Sequence, residues 1–284
     1  MAYKSIVTVA SAVSDQLPAF LDRAGRFAQA IDAHLDALAL GVDRTQIGYS
    51  YVGTGAVFLQ IATDKAEADA RALESAMKSA LTKQGPTLRW ACEAAVTQLG
   101  ALTELVSSRL RFSDLVILGL PYGPGRGAEE EAVLETALFD SAAPVLILPD
   151  TDNGRDAAQP KHVVLAWNQS REALAAARAA MPLLQQAKMV SVTVIDPPTH
   201  GPERSDPGGP LCQMLVRHGV RAEVMVLAKT TPRVSETLAR HVRDQDADLL
   251  VMGAYGHSRF REFLMGGATR DMLEHASIPV LMAH

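Results

Sequence analysis

The sequence predicts an α/β protein made of two tandem domains, each a five-stranded parallel sheet with helices on both faces. Three observations predict it. The first is an internal duplication. "SDLVILG" (113–119) matches "ADLLVMG" (247–253), "APVLIL" (143–148) matches "IPVLMA" (278–283), and "YKSIVTVASAVS" (3–14) resembles "PKHVVLAWNQS" (160–170), in the same order in each half. Duplication at so long a period means two copies of one domain, not a solenoid of short units. The second is the alternation of β-branched runs with helix-forming segments, the pattern of a parallel sheet covered by helices. The third is size and composition: 284 residues, 48% hydrophobic, enough for two real cores.

In the first half, strands are predicted near 5–10, 35–41, 88–97, 114–119 and 144–148. The second helix, "TDKAEADARALESAMKSALTKQ", is much longer than its counterpart in the second half. The uncharged stretch before it, "IGYSYVGTGAVFLQ" (47–60), reads as a helix start packed on the core, with a lid or interface loop as the alternative. The segment "PDTDNGRDAAQPK" is polar, proline-bearing and aperiodic, as a linker is. The predicted domains are 1–149 and 161–284, joined by 150–160.

In the second half, "HVVLAW" is a buried parallel strand by its β-branched run. "SREALAAARAAMPLLQQA" follows as one helix by propensity. "MVSVTVI" is the second strand, "GGPLCQMLVRHG" a short helix and "VRAEVMVLA" the third strand. "TTPRVSETLARHVRDQ" is a helix with Thr231 as N-cap and Pro232 at its first position. "DLLVMG" is the fourth strand, "GATRDMLEHA" the last helix and "PVLMAH" the last strand.

The formal net charge of -5 and pI near 5.9 argue against a nucleic-acid or anionic-membrane surface. Cys92 and Cys212 fall in different halves, with no CxxC and no metal-ligand spacing. This indicates a reducing compartment, no disulfide framework and no metal site. No apolar run reaches membrane-spanning length. The repeat makes "MAYKSIVTVASAV" a first strand rather than a leader, so a cytoplasmic location is expected.

The chemistry concentrates in "VMGAYGHSRFREFLMGGATRDML" (251–273). Clustered glycines mark backbone that turns sharply or approaches a ligand closely. Gly253 ends a strand, and Gly266 opens a helix whose unpaired N–H groups suit phosphate. Gly266 and Gly267 let phosphate oxygens reach backbone amides, Thr269 can add a hydroxyl, and Arg259 or Arg261 can supply charge. Ligands of open α/β sheets bind beyond the carboxyl ends of the strands, where strand order reverses.

The spacing G-x2-G-x9-G at 253, 256 and 266, with its flanks "DLLVMGAYGHSRFREFLMGGATRDMLEHASIPVLMAH" and "VLAWNQSREA", resembles the ATP-binding branch of the universal stress protein family. The resemblance is strong over 160–284 and weak over 1–149. It implies two Rossmann-like domains and ATP, with or without Mg2+, in the second. Adenosine would lie by Ala166, Trp167 and Asn168, then Val194 and Ile195, with Met252 and Gly253 beneath. Gly256, His257, Gly266, Gly267, Ala268 and Thr269 would hold phosphates. The sequence departs from the family pattern twice: Asn168 stands where aspartate is usual, and Gly267 where serine or threonine is usual. In the first half the glycine spacing is lost and the corresponding helix opens with Glu129, Glu130 and Glu131, which would repel phosphate.

The family's separate chains imply packing of the two halves as a pseudo-dimer through "APVLIL" and "IPVLMA", and a possible homodimer. The implied role is stress response or signalling. There is no Walker lysine and no acidic pair by the loop, so no catalytic residue is assigned and at most slow ATP hydrolysis is expected. Two other classes stay open: a non-nucleotide interaction protein with both sites inactive, and a small-molecule hydrolase using the same cleft.

Overall fold

The computed structural model describes residues 2–45, 55–123, 126–151, 153–197, 200, 203–255 and 267–284. The chain divides into two compact units, Tyr3–Ala143 and Pro144–His284.

The first unit runs β1 (Ser5–Ala10), α1 (Leu17–Ala30), β2 (His34–Asp43), α2 (Gly55–Thr82), β3 (Arg89–Gln98), α3 (Leu102–Leu110), β4 (Leu115–Gly119) and α4 (Ala128–Glu135). Its strands lie in the order β3-β2-β1-β4, and every pair is parallel. α2 begins earlier than its charged body suggests, so residues 55–60 are helical as expected, while 47–54 lie outside the described residues.

The second unit opens with β5 (Val145–Leu148), followed by β6 (His162–Ala166), α5 (Arg171–Ala179), α6 (Met181–Leu184), β7 (Met189–Ile195), α7 (Gly209–Arg217), β8 (Ala222–Leu227), α8 (Val234–Asp244), β9 (Leu249–Gly253), α9 (Ala268–Glu274) and β10 (Val280–Ala283). The order is β5-β10-β9-β6-β7-β8, parallel except for β5, which runs antiparallel to β10 with Ile147 opposite Val280 and Val145 opposite Met282. The strand expected to close the first half therefore pairs inside the second unit. The inner strands β6, β7, β9 and β10 are buried along nearly their whole length, which is why they read as continuous apolar runs rather than alternating ones. The outer strands β3 and β8 are half-exposed.

Two local expectations are corrected. The helix predicted over 170–187 is two helices, α5 and α6. Pro182 sits in the first turn of α6, where its missing N–H costs nothing, whereas inside one continuous helix it would break the ladder. α8 starts at Val234, not beside Thr231. The Thr231 hydroxyl instead bonds the Arg233 carbonyl (2.8 Å) and the Thr237 hydroxyl (2.7 Å). Both cysteines are free and half-buried. Burial pushes the Cys92 thiol up to about 11, leaving it protonated at neutral pH.

The duplication is written into the hydrogen bonds. Asp114, just before β4, accepts the N–H groups of Lys4 (2.7 Å) and Ser5 (3.0 Å) through Oδ2. Asp248, just before β9, accepts those of Lys161 (2.7 Å) and His162 (2.9 Å) in the same way. Each carboxylate fastens the start of its unit's first strand. Arg155, from the predicted linker, adds to the second clasp: its Nη1 reaches Asp248 Oδ1 (3.3 Å) and the Ala247 carbonyl (2.7 Å), and its Nη2 reaches Asp246 (2.7 Å).

Gly253 ends β9 against the first turn of α5. A Cβ built there would lie 2.5 Å from the Ala173 nitrogen and 2.7 Å from the Glu172 carbonyl carbon. Both are backbone atoms, which cannot swing away, so helix and strand touch here because no side chain intervenes.

Two substitutions test these contacts by denaturant unfolding of the full chain. Asp248→Ala, which removes a charged acceptor from two backbone N–H groups, is expected to cost about 1–3 kcal/mol. An unchanged midpoint would show that solvent replaces the clasp. Gly253→Ala is expected to cost about 1–3 kcal/mol or more by forcing α5 off the sheet. A neutral result would mean that the packing at this point is loose.

Candidate functional site

The second unit's strand order reverses between β6 and β9: from β6 the chain proceeds outward to β7 and β8, then returns to β9 on the other side. A crevice opens at the carboxyl ends of strands at such a point. Three parts of the chain meet there: the β6–α5 turn, the end of β7, and the end of β9 with the start of α9 tied to it.

The β6–α5 turn is tightly built. Ala166 ends β6, half-buried. Trp167 is buried; its backbone N–H donates to the Thr193 carbonyl of β7 (2.9 Å), and its indole Nε1–H donates to Glu203 Oε2 (2.9 Å). Asn168 is exposed and its Oδ1 accepts the Ser170 N–H (3.2 Å), an Asx turn. Gln169 takes φ of 62°, in the left-handed region. Ser170 then caps α5, its hydroxyl accepting the Ala173 N–H (3.1 Å). Asn168 thus serves the strand-end turn, and this uses the side-chain oxygen through which a nucleotide contact was expected.

At the end of β7, Val194 is buried and Ile195 half-buried. The segment entering α7 folds back over this end. Glu203 Oε2 also accepts the Gly208 N–H (3.1 Å), and Gly208 holds φ of 83° against Val194 and Val192, its built Cβ falling 3.1 and 3.3 Å from their methyl carbons. Glu203 is a site residue that the sequence reading missed. It lies in the polar segment "GPERSDPGG", and the Trp167 indole and the Gly208 N–H together give its carboxylate a fixed place.

On the other side of the crevice, Met252 is buried and Gly253 lies under the first turn of α5. Tyr255 takes φ of 54°, a left-handed conformation uncommon outside glycine and asparagine. Its N–H donates to the hydroxyl of Thr269 (3.2 Å), which is buried. Thr269 therefore ties the exit of β9 to the first turn of α9. Gly256, His257 and Gly266 lie outside the described residues. Gly267 is the extended N-cap of α9, with φ −62° and ψ 157°, and Ala268 is the first helical residue, so the helix opens one to two residues later than the glycine pattern suggests. Asp271 of α9 accepts from the Ser235 hydroxyl (3.0 Å) and from Arg233 Nη1 (3.2 Å), which fixes α9 against the start of α8. The structure thus gathers Ala166, Trp167, Asn168, Val194, Ile195, Met252 and Gly253 at one end of the sheet, with Gly267, Ala268 and Thr269 joined to them through Tyr255.

The first unit has the same strand-end geometry, but its own side chains occupy it. Glu129 of α4 is buried and forms a two-pronged pair with Arg44, Nε to Oε1 at 2.5 Å and Nη2 to Oε2 at 2.7 Å. The carboxylate beside it pushes the Arg44 pKa above its ordinary value. Glu130 accepts the Ser11 hydroxyl (2.6 Å) after β1 and the Gly127 N–H (2.8 Å) at the helix start. The carboxylates therefore satisfy both the helix N-terminus and the cation at the end of β2.

Comparison with known proteins places this architecture. Residues 160–284 match the model of the universal stress protein family. A universal stress protein of Synechocystis sp. is 39% identical over 69 residues, a match spanning 24% of this chain and 23% of the relative's length. Among solved structures, a universal stress protein from Archaeoglobus fulgidus DSM 4304 aligns over 98% of this chain and 96% of its own, with a TM-score of 0.68 and 14% identity. A Pseudomonas aeruginosa PAO1 protein of unknown function aligns over 99% of this chain and 92% of its own, with a TM-score of 0.56 and 16% identity. At such identities the structural likenesses speak for the fold alone. Among the described residues no helix is long and apolar enough to cross a membrane. The sequence match over the second half, carried on the fold seen there, makes residues 160–284 a domain of the universal stress protein family.

Proposed function

We propose that the second half of the chain binds ATP or another adenine nucleotide, and that the protein acts in stress response or signalling through nucleotide-dependent conformation or choice of partner, in the cytoplasm. One observation carries this reading: the β6–α5 turn, the end of β7 and the start of α9 converge at the β6/β9 reversal of strand order. The adenosine would lie beside Ala166, Trp167, Asn168, Val194 and Ile195, over Met252 and Gly253. The backbone N–H groups of Gly267 and Ala268 would meet phosphate, with Gly256, His257, Gly266 and Thr269 around it. Mg2+, where present, would arrive on the phosphates.

The first half serves as a partner domain whose own site has decayed. The support is the Arg44–Glu129 pair and the Glu130 cap, which set carboxylates where a phosphate would otherwise meet the helix start. The antiparallel pairing of β5 with β10 joins the last strands of the two repeats and supports an intramolecular pseudo-dimer, to which a homodimer of chains could be added. A second reading, a non-nucleotide interaction protein, is favoured by one fact: the Asn168 side chain and the Thr269 hydroxyl both already bond neighbouring backbone N–H groups.

Denaturing freshly purified protein and identifying released nucleotide by mass spectrometry separates these readings. About one adenine nucleotide per chain is expected, by the one-site reading of the two domains. Two per chain would overturn the assignment of an empty first unit. None, with no heat on titration of ATP and magnesium, would leave the interaction-protein reading. Gly266→Asp, placing a carboxylate at the phosphate position, is expected to abolish binding without lowering the unfolding midpoint, and retained binding would move the phosphate site elsewhere.

A further inference from the structure

Glu203 stands where the crevice borders the end of β7, and its carboxylate is anchored through one oxygen only. Oε2 accepts the Trp167 indole N–H at 2.9 Å and the Gly208 N–H at 3.1 Å. Both donors belong to rigid places: Trp167 is buried and tied to Thr193 of β7, and Gly208 is wedged against Val192 and Val194. Two donors on one oxygen fix the carboxylate plane. Oε1 has no partner among the described residues and remains an acceptor.

We infer that Glu203 selects the purine: Oε1 accepts a hydrogen bond from the exocyclic amine of adenine and disfavours a purine with a carbonyl at that position. This rests on the nucleotide-site reading above. If phosphate lies toward α9, the nucleoside extends across β6 toward β7, where Trp167 and Val194 end and Glu203 stands. An ionised carboxylate is acceptor-only. It matches an amine donor at purine C6, whereas a 6-oxo purine turns a second acceptor toward it. A site built around one donor disfavours the analogue that lacks it, because the acceptor that the bound base covers is then left without a partner.

Calorimetric titration of the full chain with ATP and with inosine triphosphate reads this directly, since inosine carries oxygen where adenosine carries the amine. The wild type is expected to prefer ATP by about tenfold or more. Glu203→Gln should narrow or reverse that ratio. The two fixed donors keep the amide oxygen on the Trp167 side, and its NH2 group then takes the place of Oε1 as a donor. A structural brace alone would shift both affinities together and leave the ratio unmoved. If ATP binds the variant with the wild-type ratio, Glu203 does not read the base. If the variant folds poorly, the wild-type comparison decides, and a ratio within about twofold overturns the inference. If the wild type binds neither nucleotide, the nucleotide-site reading falls and this inference falls with it.

Discussion

The close approach of α5 to the end of β9 is the constraint around which the second unit is organised. Backbone meets backbone at Gly253 and Ala173, so the helix after β6 and the strand beside β6 share one surface with no side chain between them. That contact brings the β6–α5 turn to the level at which β9 ends and fixes the crevice between the two. The glycine that the family resemblance sets beneath adenosine is therefore first a packing residue. The Ser170 cap and the Asx turn of Asn168 serve the same end, since they set the angle at which α5 arrives.

The two repeats have kept one end of the sheet alike and let the other diverge. At the amino ends, Asp114 and Asp248 make the same pair of hydrogen bonds to the first strands of their units. At the carboxyl ends the chemistry separates. The first unit brings buried Glu129 onto Arg44 and sets Glu130 on its own helix start. The second leads from β9 through a strained Tyr255 to a helix capped by Gly267. A parallel sheet permits this division of labour, because its core is set by strand pairing while the loops beyond the carboxyl ends are free to vary.

Much of the fold was legible in the sequence, because the signals were repeated or continuous. Apolar runs such as those of β6, β7 and β9 announce strands buried on both faces, and the duplicated blocks align the two halves. What was not legible depended on partners distant in the chain. Nothing near Glu203 shows that it meets Trp167, 36 residues earlier, and nothing near Arg44 shows that it meets Glu129, 85 residues later. Thr231 looked like a cap because threonine before proline often is one. It lost that role because its hydroxyl found Thr237 and the Arg233 carbonyl, and the helix then began at Val234. Pro182 was visible throughout, but the alanine-rich propensity around it outweighed it in the reading.

The placement of β5 bears on how such a chain could be divided. Val145–Leu148 is buried on every residue and hydrogen-bonded to β10, although by sequence order it closes the first repeat. A fragment cut at the polar stretch after it would strip β10 of this neighbour and bare an apolar edge that invites association. The strand that completes the second unit therefore lies upstream of the segment that looks like the linker, and a division at that polar stretch would separate β10 from a partner it is built to pair with.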